Sequence, residues 1–150
     1  MLGLKQALKS LLVRCVVSPG NTAIRSGLLR GRLLPRSIAK DNLAMVFGGY
    51  ERRIQDILSE LARDCTIGYD VGAHVGFMSL LLAELVSVDG QVHAFEPSPR
   101  EAAMVEELIR CNGLEHRLFV HRYAVCDEVG PIQFQASAGS FTGILGFDRP

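Results

Sequence analysis

The chain has 150 residues, 48% of them hydrophobic, and a formal net charge of zero. That is one domain's length with enough apolar content for a core, so a disordered or fibrous chain is excluded, and no apolar run is long enough to span a bilayer. The zero conceals an asymmetry: residues 1–40 hold half of the sixteen Lys and Arg and none of the sixteen Asp and Glu, which makes a basic head on an acidic body. The basic residues are scattered among leucines with no aromatics, which is not a nucleic-acid footprint.

Residues 2–17, "LGLKQALKSLLVRCVV", have helical periodicity. Leu4, Ala7, Leu8, Leu11, Leu12 and Cys15 share one stripe, and "SPGN" ends the pattern. Lysines interrupt the apolar run and no small-x-small site closes it, so it is not a secretory leader. It is read either as a helix packed on its own domain or as an amphipathic helix on a membrane surface. Residues 22–48 read as short extended pieces, with "LAMVFGGY" running into a Gly-Gly break. "ERRIQDILSELARD", 51–64, is predicted to be a helix with Ile54, Ile57, Leu58 and Leu61 on one face.

From residue 66 strands and helices alternate. "TIGYDV" is a strand, "GFMSLLLAELVS" a buried helix, "QVHAFE" a second strand. "SPREAAMVEELIRCNG" is a helix with Ser98 as N-cap, Pro99 at its first position and Asn112-Gly113 as its stop. "RLFVHRYAV", 117–125, is a third strand. After a turn at 127–130, "PIQFQA" alternates like an exposed or edge strand. This order predicts an α/β, Rossmann-like, mostly parallel sheet. The organisation expected is a basic helix (1–20), a lead-in of short strands and a helix (21–65), and a nucleoside-binding half-domain (66–150).

In such sheets ligands bind beyond the carboxyl ends of the strands. The first strand ends in "YDVGAHVG". Gly72 allows a turn closed to other residues, Gly76 lets the next helix start close to the strand, and that helix's N-terminus is expected to offer unpaired N–H groups to a carboxylate or phosphate. A dinucleotide fingerprint would need glycine at positions 74 and 77, but His74 and Phe77 stand there. Glu96, twenty residues after Gly76, ends the second strand, where a carboxylate can take both hydroxyls of a ribose. A nucleoside with a small charged appendage fits both places, and S-adenosylmethionine is such a molecule. The bland reading makes Asp70 and its glycines a tight turn, His74 a loop hydrogen-bonder, His93, His116 and His121 structural or surface residues, and Glu101, Glu106 and Glu107 a solvated face. The four cysteines form no C-x-x-C pair, so they read as thiols of a reducing compartment with no metal site.

"YDVGAHVGFMSLLLAELV", "GQVHAFEPSP" and "NGLEHRLFVHRYAVCDEVG" resemble, in order and spacing, the FkbM family of class I S-adenosylmethionine-dependent methyltransferases. "SGLLRGRLLP" and "GGYERRIQDIL" are similar to that family's lead-in, so the resemblance spans roughly residues 26–140. It implies that Asp70, Gly72, Ala73, His74 and Gly76 hold the methionine part, with His74 where Asn is common. It further implies that Glu96 binds the ribose, Phe95 and Pro97 shape the adenine edge, and Tyr123 and Ala124 flank the adenine. The implied activity is O-methyl transfer to a hydroxyl of a sugar or secondary metabolite. The thiols, for their part, point to a cytoplasmic protein, and the basic amphipathic helix to one able to touch a membrane. The residues themselves leave open a non-catalytic nucleoside-binding or interaction domain derived from a truncated methyltransferase, and they name no catalytic base. The family's sheet carries further motif-bearing strands, which are not visible after "PIQFQA". The expectation is therefore a sheet lacking its C-terminal strands, with "TIGYDV" as an exposed edge prone to self-association and with catalysis weak or absent.

Overall fold

The computed structural model describes residues 2–127, 130, 133–136 and 143–146. The first element is the predicted helix, α1 (Leu2–Val16). Its last turn packs on the domain. Val13 and Val16 pack there, followed by the buried Val17. The leucine stripe expected to be the packing face points elsewhere: Leu8, Leu11 and Leu12 are 57%, 59% and 45% exposed.

The lead-in departs from the extended reading. Only β1 (Thr22–Ala23) and β2 (Leu33–Leu34) are strands, paired antiparallel. They are followed by two short helices, α2 (Arg36–Ala39) and α3 (Leu43–Val46). Helix α3 starts because the Asn42 side chain accepts the N–H of Ala44 at 3.1 Å, the usual way to satisfy an orphan donor of a first turn. Four residues barely exceed one helical period, so their pattern could not announce a helix.

Helix α4 (Arg52–Leu61) forms as predicted but is turned differently. Gln55 is its buried residue, donating to the carbonyls of Tyr50 at 2.5 Å and Gly48 at 3.3 Å. Leu58 is half-buried against the core, whereas Ile54, Ile57 and Leu61 face solvent. The amide is what decides the rotation: once Gln55 is buried and bonded, the isoleucines lie on the outer side.

The main sheet is parallel, in the order β3-β4-β5, with β3 (Ile67–Val71), β4 (Gln91–Phe95) and β5 (Leu118–His121). Helices α5 (Phe77–Leu85) and α6 (Pro99–Asn112) connect them. The α/β, Rossmann-like architecture is as expected. The third strand is shorter: it stops at His121, and 122–126 continue without regular structure. "PIQFQA" yields β6 (Gln133–Ala136), which pairs antiparallel with an unforeseen β7 (Gly143–Gly146) in a sheet of its own; residues 131 and 132 lie outside the described residues.

One face of the main sheet is buried. Val92, Ala94 and Leu118 meet Leu80 and Leu81 of α5 and Val105 and Leu108 of α6, and the same cluster runs on into Ile24, Leu29 and Leu34 of the lead-in. A side-chain clamp joins the two parts. The Leu33 N–H donates to Asn112 Oδ1 and Asn112 Nδ2 donates to the Leu33 carbonyl, both at 2.9 Å. The other face of the sheet is open along β3, where Ile67, Tyr69 and Val71 are 52%, 64% and 60% exposed. Rings line this face: Tyr69 stacks on His93, His93 on Phe119, and Phe95 on His121. His93 Nδ1 and His121 Nε2 share a hydrogen bond of 2.9 Å. Among the described residues β3 is an edge strand, as expected.

Candidate functional site

The turn after β3 is built from three left-handed residues: Gly72 at φ +80°, His74 at +52° and Gly76 at +81°. The two glycines do different work. A Cβ on Gly76 would lie 3.0 Å from Val105 Cγ1 and 3.1 Å from Leu108 Cδ2, so this glycine lets α6 press against the turn. A Cβ on Gly72 would meet nothing within 4 Å. Its freedom serves the backbone conformation and leaves open space above the strand ends. His74 adopts a conformation that histidine, like asparagine, tolerates better than most residues.

Three N–H groups of this turn are bonded within the protein. Those of Gly72 and Ala73 both donate to the Phe95 carbonyl, at 2.9 and 3.0 Å. That of His74 donates to Glu96 Oε2 at 2.8 Å, and Ser98 N–H donates to Glu96 Oε1 at 2.9 Å. The reason is register: Val71 pairs with Phe95, so the turn curls over the end of β4 and its donors find the nearest acceptors there. Glu96 is buried, 7% exposed, and ties the glycine turn to the start of α6. A carboxylate has about four lone-pair sites, so these two bonds leave each oxygen able to accept another.

Asp70 is half-buried beneath the turn and accepts from the Ser79 hydroxyl and the Ser79 backbone N–H. It thereby supplies the capping acceptor that Gly76, at the N-cap position of α5, lacks. Burial raises its pKa, and the two Ser79 bonds offset only part of that. His74 is shifted the other way: burial lowers its pKa, against the pull of Glu101 and Glu96, so its ring is neutral at neutral pH. Its side chain lines a cavity of about 300 Å³ with Ser37, Asp41, Asn42, Met45, Tyr50 and others.

Of the sequence-predicted residues, Asp70, Gly72, Ala73, His74, Gly76, Phe95 and Glu96 thus meet at the carboxyl ends of β3 and β4. The Phe95 backbone belongs to the turn, while its ring lies on the open face against His121 and Tyr69. Pro97 is half-buried beside Glu96. Tyr123, 69% exposed, and Ala124 lie past the end of β5 and not within it. Sequence reasoning missed Ser79, which a serine one turn into an apolar helix could have signalled. It also missed the lead-in residues Asp41, Asn42 and Tyr50, which have no motif. Ser98 is at the N-cap as expected, but its hydroxyl donates to the Glu101 carboxylate and its N–H serves Glu96. Among the described residues no group of three or more His, Cys, Asp or Glu is placed to hold a metal ion.

No family model matches the chain, and no curated protein matches it. Solved structures do. A candidate rRNA methylase from Clostridium thermocellum is 18% identical at TM-score 0.47, over 49% of this chain and 40% of that one. A candidate transferase from Pyrococcus horikoshii is 20% identical at TM-score 0.48, over 71% and 37%. A candidate O-methyltransferase from Klebsiella pneumoniae is 15% identical at TM-score 0.46, over 77% and 49%. The chain spans less than half the length of each of these three proteins.

Proposed function

We propose that the chain binds S-adenosylmethionine across the carboxyl ends of β3 and β4 and serves O-methyl transfer, in the manner of the FkbM family, to a hydroxyl of a sugar or secondary metabolite. The observation that carries this reading is Glu96: a buried carboxylate at a parallel-strand end, held by two backbone N–H groups, with lone pairs left for two ribose hydroxyls. The open space over Gly72 fits a ligand lying close to the backbone. The internal use of the Gly72, Ala73 and His74 N–H groups speaks against a dinucleotide, whose pyrophosphate needs such donors. When bound, the cofactor supplies an electrophilic methyl group. The chain's part is orientation of an acceptor and removal of its proton. The cavity beside the turn offers a place for the acceptor.

The open sheet face and the β3 edge favour one second reading, a nucleoside-binding domain without turnover. Calorimetry with S-adenosylhomocysteine and with NAD tests the site. The first should bind and the second should not, and Glu96→Ala should weaken binding by about 1–3 kcal/mol through loss of a charged acceptor. Wild-type affinity in that variant would remove the ribose assignment. A methyl-transfer assay over hydroxylated acceptors then separates an enzyme from a binding domain.

A further inference from the structure

Helix α1 has two unlike sides. Val13, Val16 and Val17 tie it to the core at its C-terminal end. Leu8, Leu11 and Leu12, at i, i+3 and i+4, turn away from that contact and lie between 45% and 59% exposed. Three large apolar side chains in one stripe are costly to leave in water. Lys9 and Arg14 are exposed on the same helix. At its end the Arg25 guanidinium donates to the Val16 carbonyl, and Arg36 donates to those of Val17 and Ser18. Arg25 also lies 5.5 Å from the centre of the Phe47 ring, itself 46% exposed. No acidic residue occurs anywhere in residues 1–40. No described helix is long and apolar enough to cross a membrane, so contact in the plane of a surface is the geometry left to this one.

We propose that the leucine face of α1, with its arginine-ringed end and Phe47, seats on an anionic lipid surface. Charge complementarity selects that occupant. An apolar stripe flanked by cations and by no acidic residue of its own segment matches an interface of acyl chains under anionic headgroups, whereas a neutral apolar partner would leave the cations without counter-charges. The inference is independent of the cofactor site.

Full-length protein is sedimented with vesicles of phosphatidylcholine alone and of phosphatidylcholine mixed with phosphatidylserine. Binding should occur to the mixed vesicles and weaken with added salt. The triple variant Leu8→Gln, Leu11→Gln, Leu12→Gln should lose more than about tenfold in binding, since it removes the buried apolar contact. Its thermal midpoint should change little, because these side chains already stand about half exposed. Lys9→Glu with Arg14→Glu, a second surface variant, should lose binding to anionic vesicles only. Equal binding to both vesicle types, no binding to either, or full binding by the leucine variant would overturn the proposal. So would a dimer that the leucine variant makes monomeric in the absence of vesicle binding, which would assign this face to a protein partner.

Discussion

Gly72 and Gly76 share a backbone conformation but not an environment, and substitution separates them. Gly76→Ala combines left-handed strain with a Cβ pressed on Val105 and Leu108, and should destabilise by about 2–4 kcal/mol in denaturant unfolding. Gly72→Ala has only the strain to bear, about 1–2 kcal/mol, because its Cβ meets open space. It should nevertheless lose more S-adenosylhomocysteine affinity than its stability cost suggests, since that space is where the ligand comes close. His74 has a pH signature. Its pKa is held below the ordinary histidine value, chiefly by burial. Its contribution to stability is therefore complete above that value and falls away as the pH drops below it, because the unfolded chain binds the proton more readily. His74→Asn keeps a residue that tolerates the left-handed turn and should flatten this acid-side loss in a Tm-against-pH series.

At the scale of elements, α5 begins on a glycine and borrows its cap from the strand before it. The raised pKa of Asp70 means that its ionised form is disfavoured by folding, mainly through burial. That stability term is most favourable below the ordinary carboxylate range and is lost as the pH rises through the folded value. Asp70→Asn should accordingly match the wild type in acid and exceed it in thermal midpoint at neutral pH. A variant less stable at neutral pH would show that the Ser79 bonds outweigh burial. The alternation of strand and helix from 66 onward, the Ser98 and Gly113 boundaries of α6 and the convergence of Glu96 with the glycine turn were all legible, because each rests on a local signal. What escaped was set by distant partners. Helix α4 turns its isoleucines outward because Gln55 bonds back to Tyr50 and Gly48, and α2 and α3 are too short for periodicity to reveal. The third strand ends early at His121, and nothing in the apolar run to Val125 marked that end.

For the molecule as a whole, the uncovered face is the dominant fact. Parallel sheets are ordinarily buried on both faces, yet Ile67, Tyr69 and Val71 stand exposed on what is, among the described residues, an edge strand. The chain should self-associate with rising concentration, as followed by size-exclusion chromatography with light scattering. Tyr69→Lys with Val71→Lys should return it to a monomer, since charges on an exposed edge oppose pairing. A monomer at all concentrations would mean that this surface is already covered. The lead-in, by contrast, is not an appendage. Asn112 bonds both backbone groups of Leu33, so Asn112→Ala should cost about 1–3 kcal/mol and lower the single unfolding transition.

The Glu96 staple also furnishes its own spectroscopic reporter. The amide protons of His74 and Ser98 end on the two oxygens of one carboxylate. Charge-assisted bonds of this kind are short and strongly polarised, so both protons should resonate downfield of ordinary amides. Any ligand that draws electron density from Glu96 should move the two resonances together, with one common midpoint, although they lie on different loops. Synchronous displacement during a titration would locate the ligand's hydroxyls without a crystal, and movement of one resonance alone would place the ligand elsewhere.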